Sequence, residues 1–315
     1  MTLNDTQKRL HAKIKSELGR EIVSALEDDS VIEIMLNGDN SLWIERLGEG
    51  MQHIAKHSCA AQSVIHTVAS YLGTNVTISN PILECELPLC GSRFEALVPP
   101  VVQHPSFTIR KKAKLIFTLD DYVANQIITP LQKEFMEETI RKRKNILIAG
   151  GTGSGKTTLT NAIIDGIVRL TPDDRVIIIE DTAEIQCAAK NNTIMRATEH
   201  AEMIRLLKAT MRYRPDRILV GEVRGGEALM LLKSWNTGHP GGVATVHANS
   251  ALAALTRIEQ LVAEATTASS HVIVAEAINT VVFIAKTKEG RRVKEVIEVD
   301  GYDFNEKKYI TRSLF

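Results

Sequence analysis

Gly150-Gly-Thr-Gly-Ser-Gly-Lys-Thr157 is the stretch on which the reading of the fold turns. Gly150, four residues, then Gly155, Lys156 and Thr157 match the phosphate-loop pattern. Just upstream, Asn145-Ile-Leu-Ile-Ala149 reads as a short apolar strand, and downstream Thr158-Leu-Thr-Asn-Ala-Ile-Ile-Asp165 continues as a helix. Strand, loop and helix together are the setting the pattern requires. Glycines are needed because backbone N–H groups must curl around phosphate oxygens, where side chains would obstruct them. The helix start adds unpaired donors and the positive end of its dipole. The expected cradle is Gly150, Gly151, Thr152, Gly153, Ser154, Gly155, Lys156, Thr157 and Thr158. Lys156 is expected to reach the β- and γ-phosphates, and the Thr157 hydroxyl to hold Mg²⁺.

Working outward, apolar strands alternate with helices from Asn145 onward. Strands are expected at 145–149, 175–180, 217–220 and 243–247, and helices at 156–169, 200–212, 226–236 and 251–264. That alternation predicts an α/β unit with a mostly parallel sheet flanked by helices. Ligands in such sheets bind beyond the carboxyl ends of the strands. Tail strands near 280–286 and 292–299 are expected to form a small edge sheet. In front, Leu10, Ile14, Leu18, Ile22 and Leu26 line one face of a basic amphipathic helix over 6–26, expected to pack on its own domain. Strands at 31–36 and 42–46, a helix over 59–72, and strands at 82–89, 93–98 and 107–110 complete an α+β unit. The domains are read as 1–112, a linker over 113–130 that ends at Pro130, and 131–315, with a helix over 131–143.

Three further segments carry chemistry. Arg175-Val-Ile-Ile-Ile-Glu-Asp-Thr-Ala-Glu184 is a buried strand ending in acids. Glu180, Asp181 and Glu184 stand at its end, where one carboxylate can orient or deprotonate a water. Arg217-Ile-Leu-Val-Gly-Glu-Val-Arg224 resembles a Walker B segment, with Gly221 where many such enzymes carry a magnesium-facing aspartate. Glu222 is then the nearest carboxylate, suited to hold Mg²⁺ through water; pairing with Arg224 is the structural alternative. Thr245-Val-His247 ends another strand, so His247 is placed to sense a γ-phosphate. Arg93 and Arg110 lie on N-terminal strands, and a guanidinium's planar fork suits phosphate.

Composition narrows the options. The chain has 315 residues, with Lys plus Arg equal to Asp plus Glu at 38 each. No global field draws it to nucleic acid or anionic lipid. With 4% aromatics, stacking platforms for single strands are scarce, which argues against a helicase and against strong nucleic-acid binding. Cys59, Cys85, Cys90 and Cys187 form no CxxC pair, so a reducing compartment is expected. The N-terminus lacks an apolar signal core, and no apolar run reaches membrane-spanning length.

Taken in order, the glycine loop, Ile-Glu-Asp-Thr-x-Glu, Val-Gly-Glu-Val-Arg-Gly and Thr-x-His-Ala-Asn-Ser resemble the traffic ATPases of the type II/type IV secretion superfamily. The resemblance is closest to the conjugal-transfer, Trb-type ATPases of type IV secretion systems. Gly91-Ser-Arg-Phe94, Val98-Pro-Pro100 and Thr108-Ile-Arg-Lys111 extend it forward. It implies a RecA-like P-loop NTPase core behind a smaller α+β domain. It implies ATP as substrate, Mg²⁺ as cofactor, and homohexameric rings peripheral to the cytoplasmic face of the inner membrane, beside other secretion components. Carried over, Lys156 and Thr157 are the phosphate-loop pair, Glu180 the water-activating acid, Glu222 the Walker B acid and His247 the histidine-box residue. Arg93 and Arg110 correspond to arginines that reach the nucleotide from the N-terminal domain. Loss of the γ-phosphate would then release that domain. A nucleotide-gated scaffold with little turnover is the alternative, invited by Gly221.

Overall fold

The computed structural model describes residues 5–57, 60–112, 116–198 and 200–315. Cys59 and residues 113–115, at the start of the expected linker, lie outside them. The chain divides into two compact units, Met1–Lys114 and Leu115–Phe315.

The first unit runs α1 (Asp5–Glu27), β1 (Val31–Leu36), β2 (Ser41–Arg46), β3 (Met51–Lys56), α2 (Ala61–Tyr71), β4 (Ile82–Glu86), β5 (Arg93–Leu97) and β6 (Ser106–Arg110). Its sheet is antiparallel throughout, in the order β3-β2-β1-β6-β5-β4. The apolar face of α1 behaves as its spacing predicts: Ile14, Leu18 and Ile22 are fully buried and share a core with Val64, Ile65, Ile34, Phe94 and Ile109. Gly19 interrupts α1 with φ +80°. His57 fills the break, its Nε2–H donating to Leu18 O at 2.8 Å. A Cβ on Gly19 would meet that ring at 2.9 Å, so the position excludes a side chain on both counts.

The second unit continues with α3 (Leu119–Ala124), α4 (Pro130–Arg141), β7 (Ile146–Ala149), α5 (Lys156–Leu170), β8 (Val176–Glu180), β9 (Asn192–Arg196), α6 (Met203–Thr210), β10 (Arg217–Val220), α7 (Glu227–Asn236), β11 (Val243–Val246), α8 (Ala251–Ala263), α9 (His271–Ala277), β12 (Thr280–Thr287), β13 (Gly290–Asp303) and β14 (Lys308–Ser313). The sheet order is β14-β13-β12-β7-β11-β10-β8-β9. From β12 to β9 the pairing is parallel, and β13 and β14 are antiparallel. The core is therefore α/β with a mostly parallel sheet. Ile146, Ile148, Ile163 and Ile167 bury on one side of it, and Leu147, Ala149, Leu255 and Ile258 on the other.

Two expectations about this unit need revision. The tail is not a separate edge sheet: β12 lies directly beside β7, pairing Thr280 with Ile146 and Val282 with Ile148. Its run of Val281, Val282 and Ile284 is fully buried, as a central strand demands. Within the expected linker, residues 119–124 form α3, whose Leu119 and Tyr122 enter the core with Ile140 and Ile163. Thr118 caps that helix with a capping box, and Thr129 does the same ahead of Pro130, which occupies the first turn of α4. Among the described residues, no helix is long and apolar enough to cross a membrane.

Candidate functional site

The carboxyl ends of β7, β11, β10 and β8 are neighbours in the sheet, and each leads into one of the marked segments. Gly150 follows β7, Glu180 ends β8, Gly221 and Glu222 follow β10, and His247 follows β11. The loop between β7 and α5 is shaped by its glycines. Gly153 and Gly155 hold φ values of +68° and +99°, and Gly155 is the N-cap of α5. A Cβ on Gly150 would lie 2.5 Å from Ile284 O and would also strike Ser154 Oγ. The Ser154 Oγ is buried with no hydrogen-bond partner among the described residues. An orphaned hydroxyl at the start of a helix is what a phosphate oxygen would satisfy.

Lys156 is 9% exposed. Its ammonium donates to Gly150 O at 3.0 Å and Gly151 O at 3.1 Å, and lies 3.4 Å from both ring nitrogens of His247. It is thus folded back across the mouth of the loop. His247 Nε2 stands 2.8 Å from Glu222 Oε1. Burial and the Lys156 cation hold the His247 ring below the usual histidine range, against the pull of Glu222. Arg224 Nε donates to the other Glu222 oxygen at 2.8 Å, and its terminal nitrogens reach Glu222 and Asp181 at 2.5 Å each. Lys156, His247, Glu222, Arg224 and Asp181 therefore form one connected chain of polar contacts, with the imidazole between the ammonium and the Glu222 carboxylate.

Glu180 is 1% exposed. Its Oε2 accepts the backbone N–H groups of Glu184 and Ile185, each at 3.0 Å. Burial pushes its carboxyl above the usual carboxylate range, outweighing those two bonds. The bonds fold the segment after β8 so that Glu184 Oε2 accepts from Thr157 Oγ1 at 3.0 Å. Asn161 fastens the same turn, donating to Glu184 O at 3.2 Å and accepting from Gln186 N–H at 3.0 Å. Gly221 lies against Glu180: a Cβ there would stand 3.1 Å from the Glu180 Cβ. An aspartate at 221 would crowd that buried acid both sterically and electrostatically.

Among the described residues, no three His, Cys, Asp or Glu side chains converge on a metal position. That donor set still fits Mg²⁺, which takes one or two protein oxygens and completes its shell with water and phosphate. Thr157 and Glu184 offer hard oxygens side by side. Glu222 instead faces Arg224 and His247, so its part in holding the ion would run through water.

Arg93 and Arg110 belong to the N-terminal unit. They are direct cross-strand partners on β5 and β6. Across the sheet the row runs Glu33, Arg110, Arg93 and Glu86, so each guanidinium also has a carboxylate as its cross-strand neighbour. Sequence reasoning placed Glu184 at the end of its strand but not on Thr157. It gave Asn161 no role. Glu184 lies four residues beyond Glu180 in the same acidic run, which was the available signal.

Comparison with known proteins bears on the family and the fold. The model of the type II/IV secretion system protein family matches residues 16–298. Conjugal transfer protein TrbB of Rhizobium radiobacter is 51% identical over 306 residues, covering 97% of this chain and 95% of its own. Type IV secretion system protein VirB11 of Bartonella henselae is 33% identical, covering 77% of this chain and 79% of its own. The crystal structure of the pilus retraction motor PilT with bound ADP is alike in fold, with a TM-score of 0.64 at 20% identity over 88% of this chain and 81% of that one. A family match over most of the chain and near full-length relatives lead to one conclusion: the chain belongs to the type II/IV secretion system protein family.

Proposed function

We propose that the chain hydrolyses ATP as a subunit of a hexameric ring, peripheral to the inner membrane at its cytoplasmic face, that powers a type IV secretion or conjugation system. The observation that carries this is the phosphate loop itself. Gly150 and Gly155 leave no room for a Cβ, the buried Ser154 hydroxyl has no partner among the described residues, and the lysine lies across the mouth of the loop. The names of the relatives supply the transport setting.

Each residue has a part. Lys156 exchanges the Gly150 and Gly151 carbonyls for β- and γ-phosphate oxygens. Thr157, with Glu184 acting through water, would hold Mg²⁺, which when bound would supply charge neutralisation on the phosphates. Both backbone bonds to Glu180 fall on Oε2, which fixes the carboxylate and leaves Oε1 to receive a proton from the attacking water. Its raised pKa suits a general base. Water oxygen bonds to the γ-phosphorus, its proton passes to Glu180, and the bond to the β–γ bridging oxygen breaks. His247, beside Lys156 and Glu222, reads whether the γ-phosphate is present. Arg93 and Arg110 contact the phosphates from the N-terminal domain, and their release lets that domain move.

The test is phosphate release by the purified full chain, run beside native mass measurement with and without ATP. The expected result is a ring that turns over ATP, with Lys156→Ala reducing turnover by about a hundredfold or more. Turnover unchanged in Lys156→Ala refutes the assignment. Assembly on ATP without phosphate release selects the scaffold reading, which the engagement of Glu222 by Arg224 favours.

A further inference from the structure

β12 flanks β7 on the side opposite β11. His247 therefore approaches the phosphate loop from one side, and the hairpin of β12 and β13 from the other. β12 runs on past the end of β7 and turns back between Thr287 and Gly290. On the return strand Arg291 lies on the loop. Its Nε–H donates to Gly153 O at 3.4 Å. Its Cδ would stand 2.9 Å from a Cβ on Gly155, so the side-chain stem crosses the N-cap of α5. Only one of the guanidinium's N–H groups is used by that contact.

The strand register is an independent observation. Lys286 and Arg291 are direct cross-strand partners. Like charges placed opposite each other destabilise a hairpin. Nor is the repulsion diluted locally: residues 286–294 carry Lys286, Lys288, Arg291, Arg292 and Lys294 against Glu289 alone. A bound anion relieves this repulsion, and the neighbouring loop is built to hold one.

We propose that Arg291, backed by Lys286, is a nucleotide-binding residue that closes the phosphate loop on the side away from His247. It takes the α- and β-phosphate oxygens of a nucleoside di- or triphosphate. The proposal rests on the ATP reading above and extends it. Lys156 serves the β,γ end, whereas the glycine segment under Arg291 presents the N–H groups that cradle the α- and β-phosphates. An arginine there meets the same oxygens before and after the γ-phosphate leaves. It therefore binds ATP and ADP alike, and its loss moves KM and leaves kcat.

The experiment is calorimetric titration of the full chain with ADP and Mg²⁺, beside steady-state ATP hydrolysis. Arg291→Ala should weaken ADP by about tenfold or more, the scale of a lost charge-assisted hydrogen bond. KM for ATP should rise by a similar factor, with kcat within about threefold. Arg291→Gln keeps a stem over Gly155 and a donor for Gly153 but removes the charge, and it should lose the same affinity. Wild-type affinity in either variant, or a fall in kcat with KM unmoved, overturns the proposal. Should wild-type protein fail to bind ADP, or Lys156→Ala bind it unchanged, the ATP reading itself fails.

Discussion

Replacing Glu180 by glutamine removes a charge and keeps an acceptor, and the two consequences point in opposite directions. The carboxyl is almost wholly buried, and burial raises its pKa above the ordinary value of 4.5. A folded-state pKa above the unfolded one stabilises fully below the unfolded value, and that contribution is lost as pH rises through the folded value. At pH 7 the ionised carboxylate is thus a net cost beside a neutral isostere. Glutamine Oε1 can accept the N–H groups of Glu184 and Ile185 as Oε2 does now. Glu180→Gln should therefore melt at or above wild type at pH 7, and the difference should vanish below about pH 4.5. Its kcat should fall by about 10²–10⁴, the scale of a lost general base. Glu180→Ala, by contrast, strands the buried Ile185 N–H at about 1–3 kcal/mol, while Glu184 N–H keeps its bond to Thr182 O at 2.9 Å. At roughly 2–4 °C per kcal/mol for a unit of this size, the alanine variant should melt below the glutamine one. Scanning calorimetry at both pH values and a phosphate-release assay provide the readings. A glutamine variant that keeps kcat within about threefold, or melts clearly below wild type at pH 7, refutes the reasoning.

Burial and the Lys156 ammonium keep the His247 ring below the usual histidine range. Lys156→Met should therefore raise its titration midpoint, seen by NMR of the ring protons, and an unmoved midpoint would remove the Lys156–His247 contact from the mechanism. A Cβ on Gly242 would run into the Trp235 ring and lie 2.5 Å from Ile218 O. Gly242→Ala should accordingly lower stability by about 1–3 kcal/mol or more, read from the urea midpoint, and an unchanged midpoint would contradict the packing.

The site was legible where its signals are local. A glycine loop between strand and helix, and acids or a histidine at strand ends, announce themselves within ten residues. What those residues touch was less legible. Thr157 meets Glu184 only because Glu180 bends the chain between them through two backbone N–H bonds. Arg291 sat in a basic run that reads equally well as a solvated hairpin. Among the elements, β3 was missed because every residue of it is exposed, leaving no alternation to detect. β9 is a short, half-polar edge strand with the same defect. The apolar segment at 280–287 was recognised as a strand, but its partner lies at 146–149. Long-range parallel pairing leaves no trace in local periodicity.

That pairing bears on how the chain matures. During synthesis β7, α5 and most of the parallel sheet emerge first, while one flank of β7 keeps its N–H and C=O groups unsatisfied. An open, apolar strand edge invites association with other chains. Only when residues 280–287 leave the ribosome does a partner arrive to seal it, bringing Ile284 and Arg291 against the glycine loop in the same event. Nascent chains stalled short of this hairpin should be sticky and unable to hold nucleotide, so completion of the sheet and competence for the ligand would be a single late step.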